Sequence, residues 1–433
     1  MGDVPTIGRL GLARDELAGQ VAVVTGAGRG IGRQVARALA YLGAAVVVAE
    51  LDEATGAETA SLIEAEGGRA LCLRTDVADE ASVQALAGRT LAELGRADVL
   101  VNNAILCPVA GVAEMDVALW DRVMAVNLRG AFLTCRAFLP GMLARGTGTI
   151  VNMVSTDAMP GLSAYIASKQ GIVGFSQSLA AEVGEGSVHV VAFGPGMVDT
   201  PAIRDVSVRL APRLGMSQEQ FLSLSLHPAY DGLMPAADAG AATAYLVARL
   251  ASEYHGEMVD GYAVLERAGY LQAPTVPAPT PAAETAALPG PGTPGAATQA
   301  LALAHKLAES VAQTGAEFDK LPFFARPMAR GDFKNKAGQS VSDWARTAAE
   351  LVARLERVQA GDAAALAELR GGHARLADLL ERFAAYCRAV PAGTARFTKD
   401  QEFLHQVAEI AAEREAAVGA LAAALRKIVK DEA

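Results

Sequence analysis

Five short runs rich in β-branched residues, VAVVT, AAVVVAE, DVLVNNA, GTIVNMVS and HVVAFGP, recur between Val21 and about Val264, with amphipathic, Ala-rich stretches between them. Strands that alternate with helices can cover both faces of a sheet only when they run parallel, so the pattern predicts an α/β fold with a doubly wound parallel sheet. The alternation stops at a segment of about residues 272–299 made of Pro, Ala, Thr and Gly with a single charge. Such a composition favours extended, semi-rigid chain and cannot form a core, so it reads as a Pro/Ala-rich linker. The expected domains are therefore residues 1–271, the linker 272–299, and a second unit over 300–433.

In that second unit apolar residues return at heptad spacing on three segments: Val341, Trp344, Ala348, Leu351, Leu355 and Val358; then Leu366 through Phe383 and Cys387 to Val390; then Phe403, Val407, Ile410, Leu421, Leu425 and Ile428, interrupted by Arg414. A narrow apolar seam needs partner helices, which predicts a small all-α helical bundle. Ser340 with Asp343, and Thr398 with Gln401, stand where N-caps or capping boxes would start two of these helices, and about 300–314 fits a shorter fourth helix.

At 433 residues and 52% hydrophobic the chain has ample material for two cores, which excludes an intrinsically disordered protein. A formal net charge of −10 argues against coating nucleic acid or anionic lipid. The acidic excess belongs to the first unit, since from residue 301 onward 19 basic residues meet 18 acidic ones. Cys72, Cys107, Cys135 and Cys387 are widely spaced, with no CxxC pair, and read as buried free thiols of a reducing compartment. No apolar run approaches membrane-spanning length and the first residues lack a leader pattern, so the expectation is a cytoplasmic protein with no membrane span.

The segment VAVVTGAGRGIGRQVARAL is a strand, a glycine-rich turn and a helix start. Gly26, Gly28, Gly30 and Gly32 let the backbone turn sharply and approach a pyrophosphate, whose charge the helix N-terminus favours. Ile31 stands where G-x-G-x-x-G would place its third glycine. Glu50 closes the next strand, where a carboxylate can accept the hydroxyls of an adenosine ribose.

From these residues the chain resembles the classical short-chain dehydrogenases/reductases over about residues 17–265, which implies a Rossmann-like sheet. The family pattern TGxxxGxG is matched by Thr25 to Gly32, its adenine-contact pair by Asp76 and Val77, and NNA by Asn102, Asn103 and Ala104. Asn127, Ser155, the YxxxK of Tyr165 and Lys169, and PGxxxT from Pro195 to Thr200 follow in family order. The resemblance implies cofactor contacts from Gly26, Arg29, Gly30, Ile31, Glu50, Asp76, Val77, Asn103, Ala104, Pro195, Gly196, Val198 and Thr200, together with Tyr165 and Lys169. It implies catalysis by Asn127, Ser155, Tyr165 and Lys169, and a homo-oligomer, a tetramer in family terms. Departures are Ile105 in place of the usual glycine after NNA, a shortened stretch between Ser155 and Tyr165, and Tyr262 where a second glycine commonly follows Gly261.

Hydride transfer at a carbinol carbon must be matched by proton transfer at its oxygen. A free tyrosine, with pKa about 10, is a poor base near neutrality, but a nearby ammonium favours the phenolate. Lys169 lies one helical turn after Tyr165 and can supply that charge; by resemblance it also binds the nicotinamide ribose. Ser155 would orient the substrate oxygen, Asn127 would hold a relay water, and Thr200 with the backbone near Val198 would hold the carboxamide. Asp76 has helix capping as its other reading.

Two residues pull cofactor choice apart: Arg29 can clasp a 2′-phosphate, whereas Glu50 repels one. Like charges in a partly desolvated pocket decide for Glu50, so NAD is expected over NADP. The apolar Met216, Phe221, Leu222, Leu224 and Leu226 fall in the family's lid and suggest a secondary alcohol or ketone with an apolar body. Arg204, Arg209 and Arg213 read first as a solvated face and otherwise as room for an anionic tail. The rival functions are an NADPH-dependent 3-oxoacyl-thioester reductase and a dinucleotide-sensing scaffold acting through the helical domain; a pure sensor has no need of the acid/base set.

The helical domain itself resembles no family, and its seam suggests oligomerisation, docking or a protein partner. His305, His373 and His405 lie on different segments, and His405 with Glu409 sits off the seam, so no metal is expected. In LPFFARPMARGDFKNK, Phe323, Phe324 and Phe333 accompany Arg326, Arg330, Lys334 and Lys336, which reads as a loop anchored by its aromatics on its own bundle.

Overall fold

The computed structural model describes residues 6–155, 159–186, 188–272, 295–320, 333–334, 336–395 and 401–430. The chain separates into two compact units, Met1–Ala273 and Pro274–Ala433.

In the first unit β1 (Val21–Thr25), β2 (Ala45–Glu50), β3 (Arg69–Arg74), β4 (Val99–Asn102), β5 (Gly148–Met153), β6 (Val188–Gly194), the short β7 (Val198–Asp199) and β8 (Met234–Pro235), and β9 (Met258–Asp260) alternate with helices. Seven of them form one sheet in the order β3-β2-β1-β4-β5-β6-β9, every pair parallel. Alternate residues of each strand feed opposite cores. Ala22 and Val24 point to the layer that holds α1 (Gly30–Tyr41) and α9 (Ala236–Tyr245), and Val21 and Val23 to the layer of α3 (Glu80–Leu94), α5 (Gly130–Arg145) and α6 (Ser163–Val183). Burial on both faces is why these strands read as continuous β-branched runs.

The order reverses between β1 and β4, leaving a crevice at the carboxyl ends of the strands, where open α/β sheets bind ligands. Local chemistry fixes the boundaries. Asp52 caps α2 (Glu53–Ala65) by accepting from Ala54 N, and Asp79 caps α3 by accepting from Ser82 N. Gly95 (φ 80°) and Gly146 (φ 68°) close α3 and α5 in the left-handed region. Ahead of β1, Ile7, Leu10, Leu12 and Leu17 join the α1/α9 core.

The second unit contains α11 (Ala296–Lys320), α12 (Val341–Gln359), α13 (Ala363–Ala395) and α14 (Gln401–Lys430), which follow α10 (Gly261–Arg267) in chain order. Ser340 caps α12 as its spacing predicts, accepting from Asp343 N at 3.1 Å; Thr398 lies outside the described residues. The fourth helix is longer than the sequence pattern gives it. Phe333 is buried edge-on among Phe318, Phe383 and Tyr386, and Trp344 donates its indole N–H to Ala337 O. Phe323, Phe324, Arg326 and Arg330 lie outside the described residues.

Two sequence expectations are corrected. At the start of α14 the seam is shifted by one position: Leu404, Ala408 and Ala411 are buried, while Ile410 is exposed. Cys135 and Cys387 are buried, but Cys72 and Cys107 are only half-buried. Among the described residues no helix is long and apolar enough to cross a membrane, and no three His, Cys, Asp or Glu side chains gather as a metal site.

Candidate active site

The turn after β1 is tight by construction. Gly26 and Gly30 have φ of 61° and 55°, which side-chain-bearing residues rarely adopt. A Cβ at Gly32 would lie 2.3 Å from Gly26 O, and one at Gly28 would lie 2.5 Å from Thr55 Oγ1. Asn103 at the end of β4 binds the turn across the switch point, its Nδ2 donating to Thr25 O (2.9 Å) and Gly26 O (3.0 Å). Thr25 Oγ1 accepts from the N–H groups of Asn103 and Ala104. Ile31 packs its side chain back on the core.

Glu50 ends β2 beside this turn. Its Oε2 accepts from Gly28 N at 2.8 Å and its Oε1 from Leu51 N at 2.8 Å, so a negative charge is pinned to the rim of the crevice. Arg29, immediately before α1, is exposed and makes no capping bond. The arginine that braces the turn is Arg33, one turn later. Its Nε donates to Gly28 O (2.9 Å) and its guanidinium pairs with Glu58, whose carboxyl is held below its ordinary value by that bond. Only the fold brings Glu58 under Arg33, so the sequence carried no signal for it.

Asp76 does not cap α3, a role that Asp79 takes; it accepts from Ala78 N and pairs with Arg122 at 3.2 Å. Val77 beside it is buried against Gly130.

The acid/base candidates converge at the ends of β5 and α6. Ser155 is half-buried just beyond β5, and Tyr165 is half-buried in the first turn of α6. Lys169 is almost wholly buried, and its Nζ donates to Met153 O at 2.6 Å and lies 5.8 Å from the Tyr165 ring centre. Burial pulls its ammonium down to about 7. The half-buried Cys107 thiol, pushed up to about 12 by desolvation, is close enough to feel the charge of Lys169. The sequence had not tied Cys107 to this site.

Asn127 lies in a π-helical turn, Ala125–Arg129, between α4 (Val117–Met124) and α5; such turns often mark functional sites. Its Oδ1 accepts from Leu106 N (2.7 Å), while its Nδ2 donates to Leu106 O (3.0 Å) and Ser168 Oγ (2.9 Å). Ser168 Oγ in turn donates to Tyr165 O. Asn127 thus joins the loop after β4 to the helix that carries Tyr165 and Lys169. Ile105 is exposed at the start of that loop.

On the other side of the crevice Gly196 (φ 96°) faces the Tyr262 ring, at 2.7 Å from where a Cβ would stand, and Gly261 packs on Pro195 O. Val198 pairs with Met234. Thr200 caps α7 (Pro201–Arg213), accepting from Ile203 N, and its methyl sits against Gly30. Tyr262 stacks on the buried His227 at 5.7 Å, and His227 Nε2 lies 3.3 Å from Glu266 Oε1. Tyr230 donates to Asp238 Oδ2 and Thr6 to Asp238 Oδ1, each at 2.7 Å. The segment between α7 and α9 is therefore fastened down at Tyr230, and Phe221 of α8 (Gln218–Leu222) is buried too. A cavity of 340 Å³ beside the lid is lined by Asp199, Arg204, Tyr230 and Asp231 among others, but not by Tyr165 or Lys169.

The crevice fits a dinucleotide: its floor admits no Cβ, its rim carries a fixed carboxylate, and α1 opens toward it. These features define a dinucleotide-binding protein of the α/β class. A sequence model described as short chain dehydrogenase matches residues 20–209. Cis-4-hydroxycyclohexanecarboxylate dehydrogenase of Sinomonas cyclohexanicum is 42% identical over 207 residues, 46% of this chain and 83% of that protein. D-threitol dehydrogenase of Mycolicibacterium smegmatis is 45% identical over 188 residues, 42% of this chain and 72% of that one. A solved 7α-hydroxysteroid dehydrogenase, complexed with NADH and 7-oxo glycochenodeoxycholic acid, superposes with a TM-score of 0.52 at 27% identity, covering 57% of this chain and 94% of that one. The chain belongs to the short-chain dehydrogenase family and is an alcohol/ketone oxidoreductase that uses a nicotinamide dinucleotide.

Proposed function

We propose that residues 1–271 form a catalytic domain that interconverts a secondary alcohol and a ketone on a largely apolar small molecule, with NAD preferred over NADP. The observation that carries this reading is the placement of Lys169: buried, bound to Met153 O, and one turn from Tyr165 on a helix that Asn127 ties to the loop after β4. When bound, the nicotinamide ring supplies the hydride acceptor or donor.

In this reading the Tyr165 phenol oxygen takes the proton from the carbinol or returns it to the carbonyl. Ser155 donates a hydrogen bond to that same substrate oxygen and orients it. Lys169 favours the phenolate when charged, and an amine drawn near 7 also exchanges protons readily at neutral pH. Asn127 holds the surrounding backbone in place and would hold the relay water that links Lys169 to solvent. Val198 and Thr200 bind the carboxamide, with the Pro195–Gly196 turn held by Tyr262 beneath it.

The pinned carboxylate of Glu50 supports the NAD preference, because a 2′-phosphate there would meet a like charge. A hydroxycyclohexanecarboxylate and a polyol among the relatives' substrates support a secondary alcohol.

The test is a titration with the oxidised and reduced forms of both dinucleotides, followed by a panel of secondary alcohols. Turnover with NAD⁺ is expected to fall by about 10²–10⁴ in Tyr165→Phe while dinucleotide binding persists. Glu50→Ala should narrow the NAD preference. Full turnover by Tyr165→Phe refutes the acid/base assignment, and an unaltered cofactor ratio in Glu50→Ala refutes the role of Glu50.

A further inference from the structure

The three arginines of the lid have different fates. Arg204 turns back on Asp199, Nε and Nη2 each meeting a carboxylate oxygen at 2.7 Å, and Arg209 is exposed. Arg213, the last residue of α7, instead reaches across to the loop after β4, where its Nη2 lies 2.8 Å from Glu114 Oε2.

The stem of Arg213 is held in place. A Cβ at Gly161 would stand 3.1 Å from both Arg213 Cδ and Val109 Cγ1, so the side chain runs over that glycine. Gly161 belongs to the stretch joining Ser155 to Tyr165, and its carbonyl accepts from Ala110 N at 2.9 Å. The side chain thus ties α7 to the loop after β4 and runs beside Gly161, four residues ahead of Tyr165.

Its present partner is loosely kept. Glu114 is largely exposed; Arg213 holds its carboxyl below the ordinary value, and Gly111 N adds only a long bond of 3.4 Å. An ion pair this open to water contributes little and exchanges readily. Glu114 takes a single N–H bond from Arg213, itself exposed, whereas a substrate carboxylate could take two parallel ones from the planar guanidinium.

We infer that Arg213 is the receptor for a carboxylate carried by the substrate at the end of its apolar body away from the carbinol, and that Glu114 occupies the guanidinium until that carboxylate displaces it. This rests on the alcohol/ketone reading of the site and adds the substrate class: hydroxy acids in which a ring or chain separates the hydroxyl from the acid.

The probes are 4-hydroxycyclohexanecarboxylate and its methyl ester, compared by kcat/KM in the full-length protein, R213Q and E114Q. The unaltered protein should prefer the acid over the ester by at least about tenfold, the worth of one charge-assisted pair. R213Q should bring that ratio to about one, whatever it does to either rate. E114Q, which removes the competitor, should lower KM for the acid several-fold. An acid-to-ester ratio that survives R213Q overturns the inference, as does equal use of both probes by the unaltered protein. If R213Q loses all turnover, E114Q decides: an unmoved KM for the acid overturns it. Turnover of neutral alcohols with no effect of either variant defeats this inference alone. Failure on every alcohol with both dinucleotides defeats the oxidoreductase reading and this inference with it.

Discussion

Lys169 is the residue whose surroundings most depart from what water would give it. Its carrier helix and the end of β5 exclude solvent, and its Nζ has one short bond to Met153 O in exchange. With the ammonium drawn to about 7 from an ordinary 10.5, the native protein binds fewer protons at this site than the unfolded chain does across that interval. Stability from this group therefore rises as pH increases from about 7 toward 10.5, is lost on the way down, and is level below the window. Thermal unfolding of the dinucleotide-free protein across that range should show this slope, at most about 1.4 kcal/mol per pH unit, and Lys169→Met should flatten it. Equal slopes for the two proteins would disprove the shift. Tyr165 and Lys169 were legible in the sequence because their spacing is one helical turn. Met153 O and Ser168 were not, since a backbone carbonyl has no sequence signature and the contact of Ser168 with Asn127 spans 41 residues.

At the level of elements, what was legible depended on how unambiguous the side chains are. β1 and β2 declare themselves by β-branched runs, and α12 by Trp344, Ala348, Leu351 and Leu355 on one stripe, all of them buried. The first half of α14 gives no such signal. Its alanines suit either face, so the larger Val407 and Ile410 suggested a stripe, whereas the helix turns Leu404, Ala408 and Ala411 inward. Small residues let neighbouring helices approach, and that tertiary preference outweighs the nominal periodicity. Leu404→Ala should therefore destabilise the helical unit by about 2–5 kcal/mol, and Ile410→Ala by no more than about 0.5 kcal/mol, in denaturant unfolding. The reverse order would restore the stripe read from sequence. Arg414 sits on this seam as the sequence suggested, and it is accommodated by pairing with Glu317 at 2.9 Å and bonding to Thr314, both on α11.

For the whole molecule, the order of motifs along the chain carried the fold of the first unit, because glycine turn, strand-end acid, NNA and YxxxK each imply a fixed place on a doubly wound sheet. Three of the long helices described in the second unit were legible from their seams; the unit's role was not, since a well-packed core says nothing about what the outside meets. We expect the first unit to be self-sufficient. A chain ending at Gln272 should keep dinucleotide binding and turnover and lose one calorimetric transition relative to the full chain. Loss of turnover on truncation would assign the helical unit a part in catalysis.

Thr6 and Tyr230, more than two hundred residues apart, share the two oxygens of one buried carboxylate, Asp238. The opening stretch of the chain is therefore mechanically in series with the segment between α7 and α9, so a fusion partner or purification handle attached just ahead of residue 6 pulls on the same clamp. Kinetic constants gathered with such a handle would describe a looser clamp.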